Sequence, residues 1–113
     1  MKKTDPIVLK YEDGREYTLE FNRDTVKYAE RQGFSADKFE KMPMSAIMEI
    51  FHLAFRMHHP QLSKEQTESI LVDDLGGLSE KMSERLVALY NKPYEEIAND
   101  NGKPKNSSLT IVM

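Results

Sequence analysis

Three histidines are the residues with the clearest potential for chemistry in this sequence. Helical metal ligands commonly stand at positions i and i+4, whereas His52 and His59 are seven positions apart and His58 directly precedes His59. Adjacent helical residues project roughly 100° apart, and only Glu49 stands nearby as a further ligand. The spacing therefore favours structural histidines, and we expect no metal and no cofactor.

Other catalytic patterns are equally weak. Two pairs of neighbouring carboxylates, Asp73 with Asp74 and Glu95 with Glu96, stand near helix ends, where solvated charges are ordinary. A glycine pair follows the first of them without the residues of a phosphate-binding loop, and the serines lack a nucleophile-elbow motif. We therefore expect a protein that is not an enzyme.

Composition narrows the class of partner. The 113 residues include 16 basic and 19 acidic side chains, giving a net charge of −3, so a nucleic-acid partner is not expected. The chain has no cysteine, and it has no run of the roughly 20 apolar residues that span a bilayer. Because Asp5-Pro6 follows the basic start and Ile7 to Leu9 is too short for a signal peptide, we expect a cytoplasmic protein and no membrane partner.

The N-terminal segment predicts a β-hairpin around Asp13-Gly14. A three-residue loop, with Gly14 in the left-handed conformation, pairs Leu9 with Tyr17 and sets Lys10 opposite Glu16. This register gathers the alternating apolar residues of both strands on one face, whereas a two-residue loop would divide them between two faces. The residues concerned are Ile7, Leu9, Tyr11, Tyr17, Leu19 and Phe21.

Helical segments follow the hairpin, because a lone hairpin needs a packing partner. We predict an α+β fold, an N-terminal β-hairpin packed on a bundle of about five helices. Residues 1–98 form a single domain, and residues 99–113 form a flexible C-terminal tail with a β-prone end, Leu109 to Met113. The predicted helices run from Asn22 or Asp24 to Gln32, from Ser35 past Phe39, from Pro43 to His58, from Ser63 to Leu75, and from Leu78 to Tyr90, with a short turn from Pro93 to Ile97.

The predicted helix from Pro43 to His58 is apolar around most of its circumference. One interpretation is a central core helix, and the other is that part of this surface is shared with another chain. Unbranched methionines repack easily and suit a surface that accepts varied apolar segments. Helical periodicity gives Met44, Met48, Phe51 and Phe55 as the candidate contacts to a partner or a second copy.

The three segments LKYEDGREYTLEFNRDTVKYAERQGF, MPMSAIMEIFHLAFRMHHP and ILVDDLGGLSEKMSERLVALYNKPYEEI resemble the tail assembly chaperones of long-tailed bacteriophages and prophages of Gram-positive hosts. The resemblance spans about residues 7 to 98 without a chemical motif. It implies a non-enzymatic protein of the bacterial cytoplasm that coats the long, apolar, helical tape measure protein until tail tube subunits polymerise around it. Other phage tail proteins and a homo-oligomer are further possible partners.

The resemblance also implies a −1 ribosomal frameshift near the end of the gene. Pro104-Lys105-Asn106 could be encoded by CCA-AAA-AAC, which contains a slippery run, and the nucleotide sequence decides whether it does. Three further readings stay open. Leu109 to Val112 could dock on a neighbour's sheet edge, the protein could be a head-tail joining or ring-forming virion component, or it could be a small enzyme that uses His52 or His59.

Overall fold

The computed structural model describes residues 4–98 and 102–113 and shows a two-stranded antiparallel hairpin followed by five α-helices. The predicted α+β architecture is therefore confirmed. In chain order the elements are β1 (Ile7–Lys10), β2 (Glu16–Leu19), α1 (Arg23–Arg31), α2 (Lys38–Lys41), α3 (Pro43–Ala54), α4 (Lys64–Ser69), a π-helical turn (Ile70–Asp74) and α5 (Glu80–Ile97).

The hairpin has the predicted register. Leu9 pairs with Tyr17 and Lys10 with Glu16, and the Lys10 ammonium lies 3.7 Å from the Glu16 carboxylate. Gly14 has φ = 95°, the left-handed conformation that the bulged loop requires. Leu19 is fully buried, so the shared apolar face of the hairpin packs on the helices as expected.

Helix α1 begins and ends close to the predicted residues. Asn22 accepts the Thr25 N–H and Thr25 accepts the Asn22 N–H, which is a capping box. Gly33 follows the helix with φ = 89°. The buried residues of α1 include Val26 and Ala29, which face the core.

Helix α3 lies at the centre of the bundle, in contact with α2, α4 and α5. Its predicted end at His58 is wrong, because the helix ends at Ala54. The Ala54 carbonyl accepts the Glu20 N–H at 2.9 Å, and the His58 and His59 N–H groups donate to the Phe55 carbonyl. The Ala54 carbonyl therefore bonds to the hairpin and not to a following helical N–H group, and α3 ends at this residue.

The predicted break before Pro93 is also wrong. Helix α5 runs without interruption from its Ser79 cap to Ile97, with Pro93 inside it. A helix-interior proline loses a backbone hydrogen bond. Here the Pro93 side chain is buried, and the neighbouring Tyr94 hydroxyl donates to Glu30 on α1 at 2.7 Å, so tertiary contacts hold the last turns in place.

The core is one cluster that joins the hairpin to α1, α3, the π-helical turn and α5. Its fully buried aromatic residues are Phe34, Phe51 and Phe55. The predicted flexible tail begins with residues 99–101, which lie outside the described part of the chain. Residues 102–113 contain no helix or strand, and Leu109, Ile111 and Val112 are 59%, 54% and 89% exposed.

Candidate functional site

A cavity of about 170 Å³ opens at the surface between α1, α3 and α4, and we call it the α3 groove. Its apolar lining includes Met48, Phe51, Leu53 and Leu71. A cavity of this size has room for one large side chain. The complete lining consists of Tyr28, Gln32, Met48, Glu49, Phe51, His52, Leu53, Lys64, Thr67, Glu68 and Leu71.

Charged and polar side chains surround this apolar floor. Gln32, Lys64 and Glu68 are exposed at the rim. Glu49 is held by Lys38 of α2, whose ammonium lies 3.3 Å from the carboxylate. The α3 groove therefore combines an apolar floor with a mixed-charge rim, which is the usual composition of a peptide-binding surface.

The four residues predicted to contact a partner are placed differently from one another. Met48 is half-buried and lines the α3 groove, and Met44 is 77% exposed in the first turn of α3, outside the groove lining. Phe51 and Phe55 are each only 1% exposed and belong to the core. Phe51 reaches the groove as part of its floor, so the structure brings Met48 and Phe51 together and leaves Met44 apart.

A second cavity of about 170 Å³ adjoins the α3 groove, since Tyr28, His52 and Leu53 line both. Phe55 is part of its lining. The guanidinium of Arg56 lies 3.6 Å from the centre of the Tyr28 ring, which is a cation–π contact. This contact fixes Tyr28 between the two cavities, so one face of the molecule carries both openings.

His52 is a neutral hydrogen-bond donor in the wall of the α3 groove. The Thr67 hydroxyl donates to the Lys64 carbonyl at 3.1 Å, so its oxygen is left to accept from His52 Nδ1 at 2.9 Å. Burial first, and then the positive charges of Lys64 and Arg56, lower the pKa of His52. His52 is therefore uncharged at neutral pH.

The other two histidines connect the end of α3 to the hairpin. His59 Nε2 accepts the Thr18 N–H at 2.9 Å, and His58 Nε2 lies 2.8 Å from a carboxylate oxygen of Glu20. The three histidines thus serve three separate contacts. No group of His, Cys, Asp or Glu residues suited to a metal ion occurs within the described ranges.

Acid should weaken the contact between His59 and the hairpin. Burial and the neighbouring His58 lower the pKa of His59 below its usual value of 6.5, so the unfolded chain takes up a proton first. The stabilisation is present above that value and is lost as pH falls through the folded-state pKa. We expect the free energy of unfolding to decrease between about pH 7 and about pH 5.

Urea titrations across that pH range measure this effect. His59→Gln keeps an acceptor for the Thr18 N–H but does not titrate in this range. The variant should therefore show a shallower decrease than the wild type. Identical pH dependence in the two proteins would contradict a role for His59.

The groove residues that sequence reasoning missed come mainly from α1 and α4. Gln32 caps the end of α1, and Lys64, Thr67 and Glu68 belong to α4. All four are polar, and no pattern separates them from ordinary solvated positions. Leu71 belongs to the apolar residues of its segment and could be recognised only as buried. Periodicity within one helix identifies an apolar face, but it does not reveal which other helix leaves part of that face open.

The fold and the groove define a small α+β domain with an apolar surface cleft between helices. A family model described as "Domain of unknown function (DUF5055)" matches residues 1–113, and the chain belongs to that family. No curated protein and no solved structure matches the chain. Within the part of the chain that the structure describes, no helix has the length and apolar character needed to cross a membrane.

Proposed function

We propose that this protein is a tail assembly chaperone of a long-tailed phage or prophage, and that it binds the apolar helices of the tape measure protein through the α3 groove. The resemblance of residues 7 to 98 to such chaperones supports the class. The observation that carries the proposed contact is the apolar floor of the α3 groove, open to the surface beside Met48.

The shape of the groove suits a helix that presents one apolar ridge. Grooves between helices bind amphipathic helices through side chains at i, i+3, i+4 and i+7. The α3 groove accommodates one such side chain, and the adjoining cavity beyond Tyr28 offers room for a second. A partner helix would bury one apolar side chain in the α3 groove.

Methionine gives this surface the adaptability that a chaperone needs. Met48 borders the groove and Met44 is 77% exposed on the preceding turn of the same helix. Their unbranched thioether side chains can repack around different apolar residues. A methionine beside the groove accommodates varied client side chains better than a branched residue at that position would.

Co-expression with the tape measure protein encoded in the same genome tests the proposal. We expect this chain, carrying an affinity tag, to keep the tape measure protein in the supernatant and to co-purify with it. Tape measure protein that remains insoluble and fails to co-purify would contradict the proposal. A head-tail joining or ring component would instead persist in mature particles, from which a chaperone is absent.

A further inference from the structure

The outer edge of β1 has backbone groups that face away from the hairpin. Val8 pairs with Thr18, and the Thr18 N–H points away from β1 because it donates to His59. In an antiparallel ladder, paired residues both direct their N–H and C=O groups either toward or away from each other. Val8, and by alternation Lys10, therefore direct theirs to the outer edge.

The two edges of the hairpin differ in whether their outward backbone groups are hydrogen-bonded. The β2 edge is covered, because its Thr18 and Glu20 N–H groups donate to His59 and to the Ala54 carbonyl. No backbone hydrogen bond among residues 4–98 and 102–113 reaches the outer groups of Val8 and Lys10. The Val8 side chain is 44% exposed. An uncovered edge of this kind is a template for one more strand.

The C-terminal segment from Leu109 to Val112 has the properties of such a strand. It is β-branched or apolar throughout, without proline, glycine or charge. It spans four positions, the same length as β1. In the single chain these residues remain exposed, with Leu109 at 59% and Val112 at 89%. The chain therefore carries both an open edge and an unpaired strand-forming segment.

We propose that residues 109–112 of one copy add as an antiparallel strand to the outer edge of β1 in a second copy. The alternation of side chains between the two faces of a strand sets the register. Leu109 and Ile111 join the core-facing side when they stand beside Leu9 and Ile7, which places Thr110 opposite Val8. Backbone hydrogen bonds from Val8 and Lys10 supply the attachment.

Charge favours the antiparallel direction. In this register Lys105 is carried toward the hairpin loop, where Glu12 and Asp13 are both exposed. A parallel strand would instead carry Lys105 away from this acidic loop. Opposite charges across neighbouring strands are favourable and like charges are not.

An exchange of C-terminal segments between two copies gives a closed dimer. Each copy offers one edge and one segment, so a reciprocal exchange satisfies both edges with two-fold symmetry. A single four-residue strand buries little surface, and the reciprocal exchange of two strands doubles the buried area. We therefore expect a dimer of this 13.1 kDa chain, with twice the monomer mass.

Light scattering coupled to size-exclusion chromatography tests the dimer. Val8→Pro removes one outward N–H but leaves the β1–β2 ladder intact, because the Val8 N–H takes no part in it. We expect Val8→Pro and deletion of residues 109–113 to give monomer, and the matched Val8→Thr variant to remain dimeric. A wild-type monomer, or unchanged dimers in both altered proteins, would overturn the proposal.

Directed cross-linking tests the pairing itself, even if Val8→Pro does not fold. The chain lacks cysteine, so two single variants, Val8→Cys and Thr110→Cys, can be mixed and oxidised. Hydrogen-bonded partners have Cα atoms about 5.5 Å apart, within disulfide range. We expect a mixed disulfide dimer, and much less product when Lys27→Cys on α1 replaces Val8→Cys. Equal yields of mixed disulfide with Val8→Cys and with Lys27→Cys, or no mixed disulfide at all, would overturn the proposal. Pairing of residues 109–112 only with β1 of their own chain would also overturn it.

Discussion

Phe55→Ala should lower the free energy of unfolding by about 3–5 kcal/mol. Phe55 is 1% exposed, and its ring centre lies 5.0 Å from that of Phe51 and 5.7 Å from that of Tyr17 on β2. Truncation removes these contacts and leaves a cavity where the hairpin meets α3. Domains of this size have only about 5–15 kcal/mol of stability in total, so the loss is a large share.

Urea unfolding measures the effect, and Met44→Ala is the control on the same segment. Met44 is 77% exposed, so its truncation should change the free energy of unfolding by no more than about 0.5 kcal/mol. Comparable losses in the two variants would contradict the placement of Phe55 in the core. The two variants also distinguish a core residue from a surface residue among the four candidate partner contacts.

Met48→Lys should weaken binding of the tape measure protein by about tenfold or more. The substitution places a charge at an apolar groove, and a bound helix would have to desolvate it. A penalty of about 1.4 kcal/mol already gives tenfold weaker binding. Met48→Leu, which keeps the apolar character and a similar volume, should bind nearly as well as the wild type.

Affinity is measured by titrating a helical segment of the tape measure protein into each purified variant. Because Met48 is half-buried, thermal unfolding must first show that both variants are folded at the titration temperature. Unchanged affinity in a folded Met48→Lys protein would place client binding elsewhere on the surface. Equal loss in Met48→Leu would assign the effect to shape rather than to charge.

The hairpin was the most predictable part of the fold. The alternation around Leu9 and Tyr17 and the need for a left-handed Gly14 were enough to derive its register. Caps were similarly informative, because Asn22 and Ser63 make the hydrogen bonds that their side chains suggest. These signals are local, and both partners in each contact lie within a few residues of one another or across one turn.

The two helix ends that were predicted incorrectly depend on distant contacts. α3 ends at Ala54 because its carbonyl accepts an N–H from Glu20, far earlier in the chain. α5 continues through Pro93 because that residue is buried and Tyr94 is held by Glu30 of α1. Local propensity could not anticipate either result, since tertiary packing overrides it.

The candidate site was predictable only in part. Periodicity identified Met48 and Phe51 on one apolar helix, but it treated all sides of that helix as equivalent. The structure covers most of them with core contacts and leaves the α3 groove open between α1 and α4. Tyr28 and Leu71 complete this opening from other helices, and their mutual position has no counterpart in sequence spacing.

The most direct measurement follows the methyl signals of the seven methionines by NMR while a helical tape measure segment is added. If the client helix occupies the α3 groove, the Met48 signal shifts with saturation. The Met82 signal, from a residue on α5 outside the groove lining, stays in place. Saturable binding that leaves the Met48 signal unchanged, or no binding at all, would contradict the claim that this groove receives the client.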